Sequence, residues 1–302
     1  MDQRVIRQVW GWATLLAMGL SWGLSFSLAR VAAVGGVHPL SLTFYEAAVA
    51  GVILVAVSFV GRRRIPVTRA LVPYYLASGL LGMVLPAAIF FYAAAHVPAG
   101  ILAITLAVIP MVTFVASALL RLESFALGRG AGVLLGAIAI VLLVGPQQSL
   151  PDPAQLPWVL FALLAAACYA AFNVMLALWK PRGATPDAAT LGMFVAAALI
   201  MSPVLYATGT FVPFGWPWTE VEWAMLGLGI INAVSYSLFI RLVESAGPVF
   251  TSQTANLVTL FGVLWGIVIF GEQHSAWVWL SLATMMLALS LVAPRRSAAL
   301  AA

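Results

Sequence analysis

Polar and aromatic side chains set at helical spacing inside long apolar runs are the residues of this chain that could do chemistry. Ser21, Trp22 and Ser25 share one run, Tyr169 and Asn173 a second, Asn232 and Tyr236 a third, and Gln253 and Asn256 a fourth. Members of each set lie three or four residues apart, so in a helix they share a face. Tyr92 and Thr105 stand in runs between them. Surrounded by hydrocarbon, an amide, hydroxyl or indole N–H needs a partner or water, and such groups turn to the bundle interior. A lining of amide, hydroxyl and aromatic groups suits a small amphipathic or zwitterionic solute. A bare ion would want a carboxylate cage or a ring of carbonyls. Packing is the competing use, because Ser and Thr also let helices approach closely; the serines fit both uses equally. The amides of Asn173, Asn232, Gln253 and Asn256 are harder to explain as packing.

Other chemistries are excluded by what is missing. His38, His96 and His274 sit near the ends of apolar runs, none beside a second ligand or a catalytic partner. No enzyme, metal or cofactor is therefore expected. One cysteine, Cys168, rules out a disulfide framework and a Cys-based metal site. Glu46 is the one fair candidate for coupling to protons, since a carboxylate inside a span is costly unless protonated, paired or wetted. The short list of such groups argues for facilitated export or weak coupling over a dedicated proton relay. Pro86 and Pro110 fall inside two consecutive runs, where each removes a backbone hydrogen bond and kinks a helix. A bent helix would be enough to explain them; the functional reading is a hinge on each.

These residues are positioned by ten apolar runs, at 12–34, 40–60, 71–95, 99–120, 127–145, 158–179, 188–206, 221–243, 249–270 and 275–293. Each is long enough for a helix to cross a hydrocarbon core, which takes about 20 residues. Of the 302 residues 64% are hydrophobic and 8% charged, and the mean hydropathy is +1.08. A soluble protein carries about 25% charged residues, so a soluble enzyme is excluded. So is a nucleic-acid-binding protein, despite a pI near 9.8. The basic excess reads instead as topology. With the N-terminus in the cytoplasm, every Lys and Arg except Arg30 falls on the cytoplasmic side of ten spans, as the positive-inside rule requires. Both termini are then cytoplasmic. Arg4, Arg7 and the stretch 31–33 could also mark a signal peptide, but the first run is long and carries serines, which favours a retained span.

The chain also resembles itself. Shifted by 149 residues, 86–125 lies over 235–274, so that Phe90 meets Phe239, Thr105 meets Thr254 and Glu123 meets Glu272. Five spans per half is an odd number, so the second half must enter the membrane from the opposite face. The expectation is an all-α integral membrane protein of ten transmembrane helices. They form two five-helix inverted repeats, 1–148 and 149–302, around a central cavity, with alternating access by rocking about it.

Several short motifs resemble a known family. They are Ala17-Met18-Gly19-Leu20-Ser21-Trp22-Gly23, the Tyr92-to-Ala99 turn, Leu106-Ala107-Val108-Ile109-Pro110 with the later Leu122-Glu123, and Gly271-Glu272. With ten spans in two halves, the chain is similar to the EamA-type members of the drug/metabolite transporter superfamily, and within them to exporters of aromatic and neutral amino acids. The resemblance implies export of small metabolites through a cavity between the halves, in a bacterial inner membrane. Its partners would be the small-molecule solute and the lipid bilayer, with no nucleic acid and no required oligomer. The sequence departs from the family pattern at Glu46, where an Arg is often near, and at Ser25 and Arg30, where Asn and Lys are frequent. A multidrug or quaternary-ammonium exporter is the first alternative. A carrier of nucleotide sugars or other phosphorylated metabolites is the second, although no cationic side chain stands clearly mid-span.

Overall fold

A computed structural model of the chain describes residues 3–61, 66–122, 126–146, 150–179, 181–246, 251 and 253–292, with the side chains of 3–8, 240 and 243–246 outside the description. Glu123, which marks the internal repeat, lies outside the described residues. Every described regular element is helical. That follows from composition, because a backbone in hydrocarbon must satisfy its own N–H and C=O groups.

The helices are α1 (Gln3–Val34), α2 (Pro39–Val60), α3 (Leu71–Gly79), α4 (Leu85–Ala94), α5 (Ala99–Leu106), α6 (Ile109–Leu119), α7 (Leu127–Val144), α8 (Leu156–Leu178), α9 (Pro186–Thr208), α10 (Glu220–Ala246), α11 (Thr254–Phe270) and α12 (Ala276–Val292). Eight segments are long and apolar enough to cross a membrane, with α3–α4 and α5–α6 each counting as one. The last two, α11 and α12, are apolar but shorter, at 17 residues each. Ten spans were expected. For α11 the difference lies at its start, since the run expected from 249 includes residues outside the description.

Local chemistry sets the ends. His38 Nδ1 accepts the Leu40 N–H ahead of Pro39, and Thr185 accepts the Ala188 N–H ahead of Pro186; a proline at the first position loses no intrahelical bond. At the start of α10 the Glu222 carboxylate accepts both the Thr219 N–H, at 2.8 Å, and the Thr219 hydroxyl, while Thr219 Oγ1 accepts the Val221 N–H at 3.3 Å, so that the first donors of the helix are satisfied. Gly209 and Gly271 end α9 and α11 in the left-handed conformation, both at φ 64°.

The prolines interrupt two spans. Between α3 and α4 the residues Leu80–Val84 form a π-helical turn just before Pro86. Between α5 and α6 the helix loosens at Ala107-Val108, just before Pro110. A third proline, Pro203, sits inside α9 without ending it.

Packing pairs the two halves of the chain. α1 packs on α10 and α11, α8 on α3–α4 and α5–α6, α2 on α9 and α10, and α3–α4 on α9; α5 lies on α11 and α7 on α12. Small residues allow the close crossings. A Cβ on Gly79 of α3 would stand 2.8 Å from the backbone nitrogen of Ala197 on α9. Midway along the helices the exposed side chains are apolar, among them Val52, Leu134, Leu164 and Val234.

Candidate functional site

The centre of the site is a chain of hydrogen bonds across three helices. α10 lies against both α1 and α2, so Asn232 stands between Trp22 and Glu46. The Trp22 indole Nε1 donates to Asn232 Oδ1 at 3.2 Å. The Asn232 amide nitrogen donates to Glu46 Oε1 and to the Leu228 carbonyl at 3.2 Å. An indole can only donate and a carboxylate can accept, so these neighbours fix which way the amide points. Glu46 and Asn232 are buried, 8% exposed each.

Aromatic rings enclose this chain. The Tyr236 ring meets Trp22 edge to face at a centroid distance of 5.3 Å and Phe194 of α9 at 5.5 Å. Tyr169 of α8 lies within electrostatic reach of both Tyr236 and Glu46. One turn along, Ser21 Oγ is 2.9 Å from Ser235 Oγ. Of the residues expected to line the cavity, the fold thus gathers Ser21, Trp22, Tyr169, Asn232 and Tyr236, and it adds Glu46.

A second group sits where α1 packs on α11. Asn256 donates its amide to Gln253 Oε1 at 2.8 Å, and Asn256 Oδ1 is buried with no partner among the described residues, as is the Ser25 hydroxyl.

The remaining expected residues lie apart from the cluster. Asn173 is exposed and donates to Thr113 of α6 at 3.2 Å. Thr105 is fully buried, and its hydroxyl returns to the Ile101 carbonyl at 2.8 Å. Tyr92 meets the His38 ring at 5.8 Å, near the end of the bundle where α4 finishes.

That same end carries contacts between residues far apart in the chain. Ser41 donates to the Thr210 carbonyl and accepts the Val212 N–H, and Tyr45 donates to the Val212 carbonyl at 2.8 Å. These bonds hold the 209–219 connection down on α2. Glu272, after α11, accepts N–H groups from the first turn of α5, with Ala99 at 2.7 Å and Gly100 at 3.1 Å. His274 Nε2 stands 3.4 Å from Glu272 Oε2, with the two side chains 1% and 7% exposed. Burial pushes the Glu272 carboxyl up, but the His274 ring and the two N–H groups outweigh it and hold it below its ordinary value. Arg30 lies over the Phe270 ring at 5.4 Å, and His96 stacks on Trp158 at 3.8 Å. Glu272 was visible in the sequence as a marker of the repeat. Phe194, alone in an apolar run, offered no signal.

Among the described residues no group of three His, Cys, Asp or Glu side chains stands together as a metal site.

The EamA-like transporter family matches this chain twice, over residues 9–145 and 156–293. The chain belongs to that family, a class of membrane transporters and not of enzymes. A solved crystal structure superposes on it with a TM-score of 0.60 over 92% of this chain and 94% of that one, at 19% identity; that likeness is one of fold. No curated protein matches.

Proposed function

We propose that the protein is a secondary transporter that exports small metabolites, neutral and aromatic amino acids foremost, by alternating access around the Trp22–Asn232–Glu46 cluster. The observation that carries this reading is the convergence of that cluster. Trp22 and Glu46 come from the first family match; Tyr169, Phe194, Asn232 and Tyr236 come from the second. A polar site built from both halves is what relative movement of the halves would expose to one side and then the other. Ten crossings in two inverted halves, 1–148 and 149–302, are part of the same reading. In its favour, the helix packing maps onto itself when the halves are exchanged. The pair α1 and α10 corresponds to α8 and α3–α4, and the pair α1 and α11 to α8 and α5–α6.

The rings supply faces for an aromatic side chain, and the amide and hydroxyls supply bonds for polar groups. The membrane is a bacterial inner membrane with both chain ends in the cytoplasm, which accessibility labelling at residues 1 and 302 would check. Coupling is weak or absent, with Pro86 and Pro110 as hinges. Purified protein in liposomes is expected to exchange radiolabelled phenylalanine in a counterflow assay, with little change when a pH gradient is imposed. Movement of ethidium or tetraphenylphosphonium but no amino acid would replace this reading with the multidrug one. Strong pH-gradient dependence that disappears in Glu46→Gln would make Glu46 a coupling residue.

A further inference from the structure

Where the α4–α5 and α11–α12 turns lie together, several contacts join the two family matches. Glu272 accepts the Ala99 and Gly100 N–H groups, and the His96 ring lies on Trp158 at an interplanar angle of 14°. Arg30 covers Phe270, and Ser41 and Tyr45 hold the backbone at Thr210 and Val212. Movement of the halves about the central cluster must part this end in one of the two states. The Glu272 contact is the one built for release. Its groups stand at a helix end, where water can serve both the N–H groups and the carboxylate once they separate. The helix it holds also has a joint at its far end. α5 is eight residues long, about 12 Å at 1.5 Å per residue. Past Leu106 the Val108 N–H reaches the Thr105 carbonyl at 3.5 Å, a long bond, and Pro110 has no N–H to give. α5 can therefore turn at Ala107-Val108 and lift its first turn from Glu272. Between clasp and joint, Ala103 is buried against α11, its Cβ 2.5 Å from where a Cβ on Gly262 would stand.

We propose that Glu272 is a latch. While its carboxylate holds the first turn of α5, this end of the bundle is closed. When the two bonds break, α5 turns at its joint, α5 and α11 part, and the end opens to the solute. A carboxylate makes these bonds stronger than neutral acceptors would. The His274 ring, 1% exposed and 3.4 Å from the carboxylate, backs it. Glu272 sets how often the end opens and stands apart from the residues that meet the solute. The inference rests on the carrier reading and adds to it the contact that is made and broken in each cycle.

Two measurements on the full-length protein test it, both in a Cys168→Ser background, since Cys168 is the one native thiol. In the first, Ala99→Cys and Glu272→Cys together replace the clasp with a disulfide, closed by copper phenanthroline and reopened by dithiothreitol. Phenylalanine counterflow should fall at least about tenfold when the disulfide closes, because a barred opening step limits turnover, and should return on reduction. Unchanged counterflow with the disulfide complete makes the contact a permanent staple and overturns the latch. The second measurement needs no transported solute. Ala103→Cys reports the parting of α5 from α11 by its rate of reaction with a maleimide in detergent. Ala288→Cys, buried in α12, is the control for general loosening. Glu272→Ala, or Glu272→Gln should the Ala variant not fold, should speed labelling at 103 at least about threefold through local opening and leave 288 unchanged. Equal rates at 103 with and without Glu272, or a rise at both positions, overturns the latch. This second measurement decides where the disulfide does not form. Faster labelling at 103 alone, with no phenylalanine counterflow by wild type, would sink the amino-acid reading and keep the latch. Counterflow that the closed disulfide does not slow would do the reverse.

Discussion

Glu272 and Ala99 belong to different family matches, yet the Glu272 carboxylate accepts the Ala99 backbone N–H at 2.7 Å. A helix that starts inside a bundle leaves its first N–H groups without partners, and a carboxylate there also meets the positive end of the helix dipole. Pro98, just before α5, has no N–H and leaves Ala99 as the first donor. Room for the second bond, to Gly100, comes from two missing side chains. A Cβ on Gly266 would stand 2.5 Å from Glu272 Oε2, and one on Gly100 would stand 3.1 Å from it.

Removing this clasp should destabilise the folded bundle. Glu272→Ala strands two buried N–H donors and is expected to cost about 2–4 kcal/mol. Glu272→Gln, which keeps an acceptor oxygen, should lose about half as much. Thermal unfolding in detergent reads the difference. A melting temperature unchanged in the Ala variant would mean that water replaces the carboxylate without penalty.

The same contact gives stability a pH dependence. The Glu272 carboxyl is held below its ordinary value in the folded protein. Its contribution is therefore complete above the unfolded value, about 4.3, and is lost as pH falls through the lower folded value. Wild type should lose stability more steeply than Glu272→Gln as the pH is lowered from about 5. The His274 ring faces the carboxylate and helps to hold it down, so His274→Gln should shift the wild-type profile towards higher pH. Parallel profiles for wild type and Glu272→Gln would remove Glu272 as the cause.

Helix crossings make a third prediction, by contrast of two glycines. A Cβ on Gly79 would meet backbone, the Ala197 nitrogen at 2.8 Å, whereas one on Gly227 would meet only the tip of Leu28 at 3.0 Å. Backbone cannot swing aside, so Gly79→Ala should cost about 1–3 kcal/mol. Gly227→Ala should be near neutral, since a flexible tip can yield and Ala favours helix by about 1 kcal/mol. Equal melting temperatures for the two variants would show that α3 and α9 shift apart freely.

Much of this fold is written in apolar length. Runs such as 40–60 and 71–95 could only be helices in a hydrocarbon solvent, and their ends carry Pro, Gly and Thr where caps require them. Asn232 and Tyr236 were legible as a site because their spacing puts both on one face. Asn173 and Tyr169 share a helix face by the same rule, yet Asn173 bonds to Thr113 while Tyr169 reaches the cluster. Spacing within one helix does not say which neighbour that helix will meet. Thr105 illustrates the same limit, since a hydroxyl that bonds to its own helix reads like one that lines a cavity. The clasp between Glu272 and α5 depends on contacts between residues about 170 positions apart, and a residue list carries no signal of that pairing.

Trp22 contributes both a ring and an N–H, and the two can be separated. Trp22→Phe keeps an aromatic face for Tyr236 but leaves the buried Asn232 Oδ1 without its donor. An amide so released can turn, and Glu46 then loses its fixed partner. Counterflow by Trp22→Phe should fall about tenfold, the effect of a loss near 1.4 kcal/mol, and Trp22→Ala should fall further because the ring contact is also lost. Asn232→Ala should resemble Trp22→Phe, and the double variant should be little worse than either, since one chain of bonds is broken in both. Additive losses would mean that Trp22 and Asn232 act on the solute independently.

The π-helical turn at Leu80–Val84 followed by Pro86 gives the hinge reading a test that separates motion from binding. Proline at this position cannot donate to the carbonyl of Gly82, and the widened turn accommodates that loss. Pro86→Ala restores the donor and lets a regular helix run from α3 into α4. If the break exists for movement, the variant should be as stable as wild type or more so, by up to about 1 kcal/mol. Its maximal counterflow rate should fall severalfold while the concentration for half-maximal rate stays the same. A break that only bends the helix predicts the opposite: an unchanged rate, with any change confined to the melting temperature. Pro203 serves as the control, because it lies within α9 with no π turn beside it, so Pro203→Ala should leave the rate unaltered.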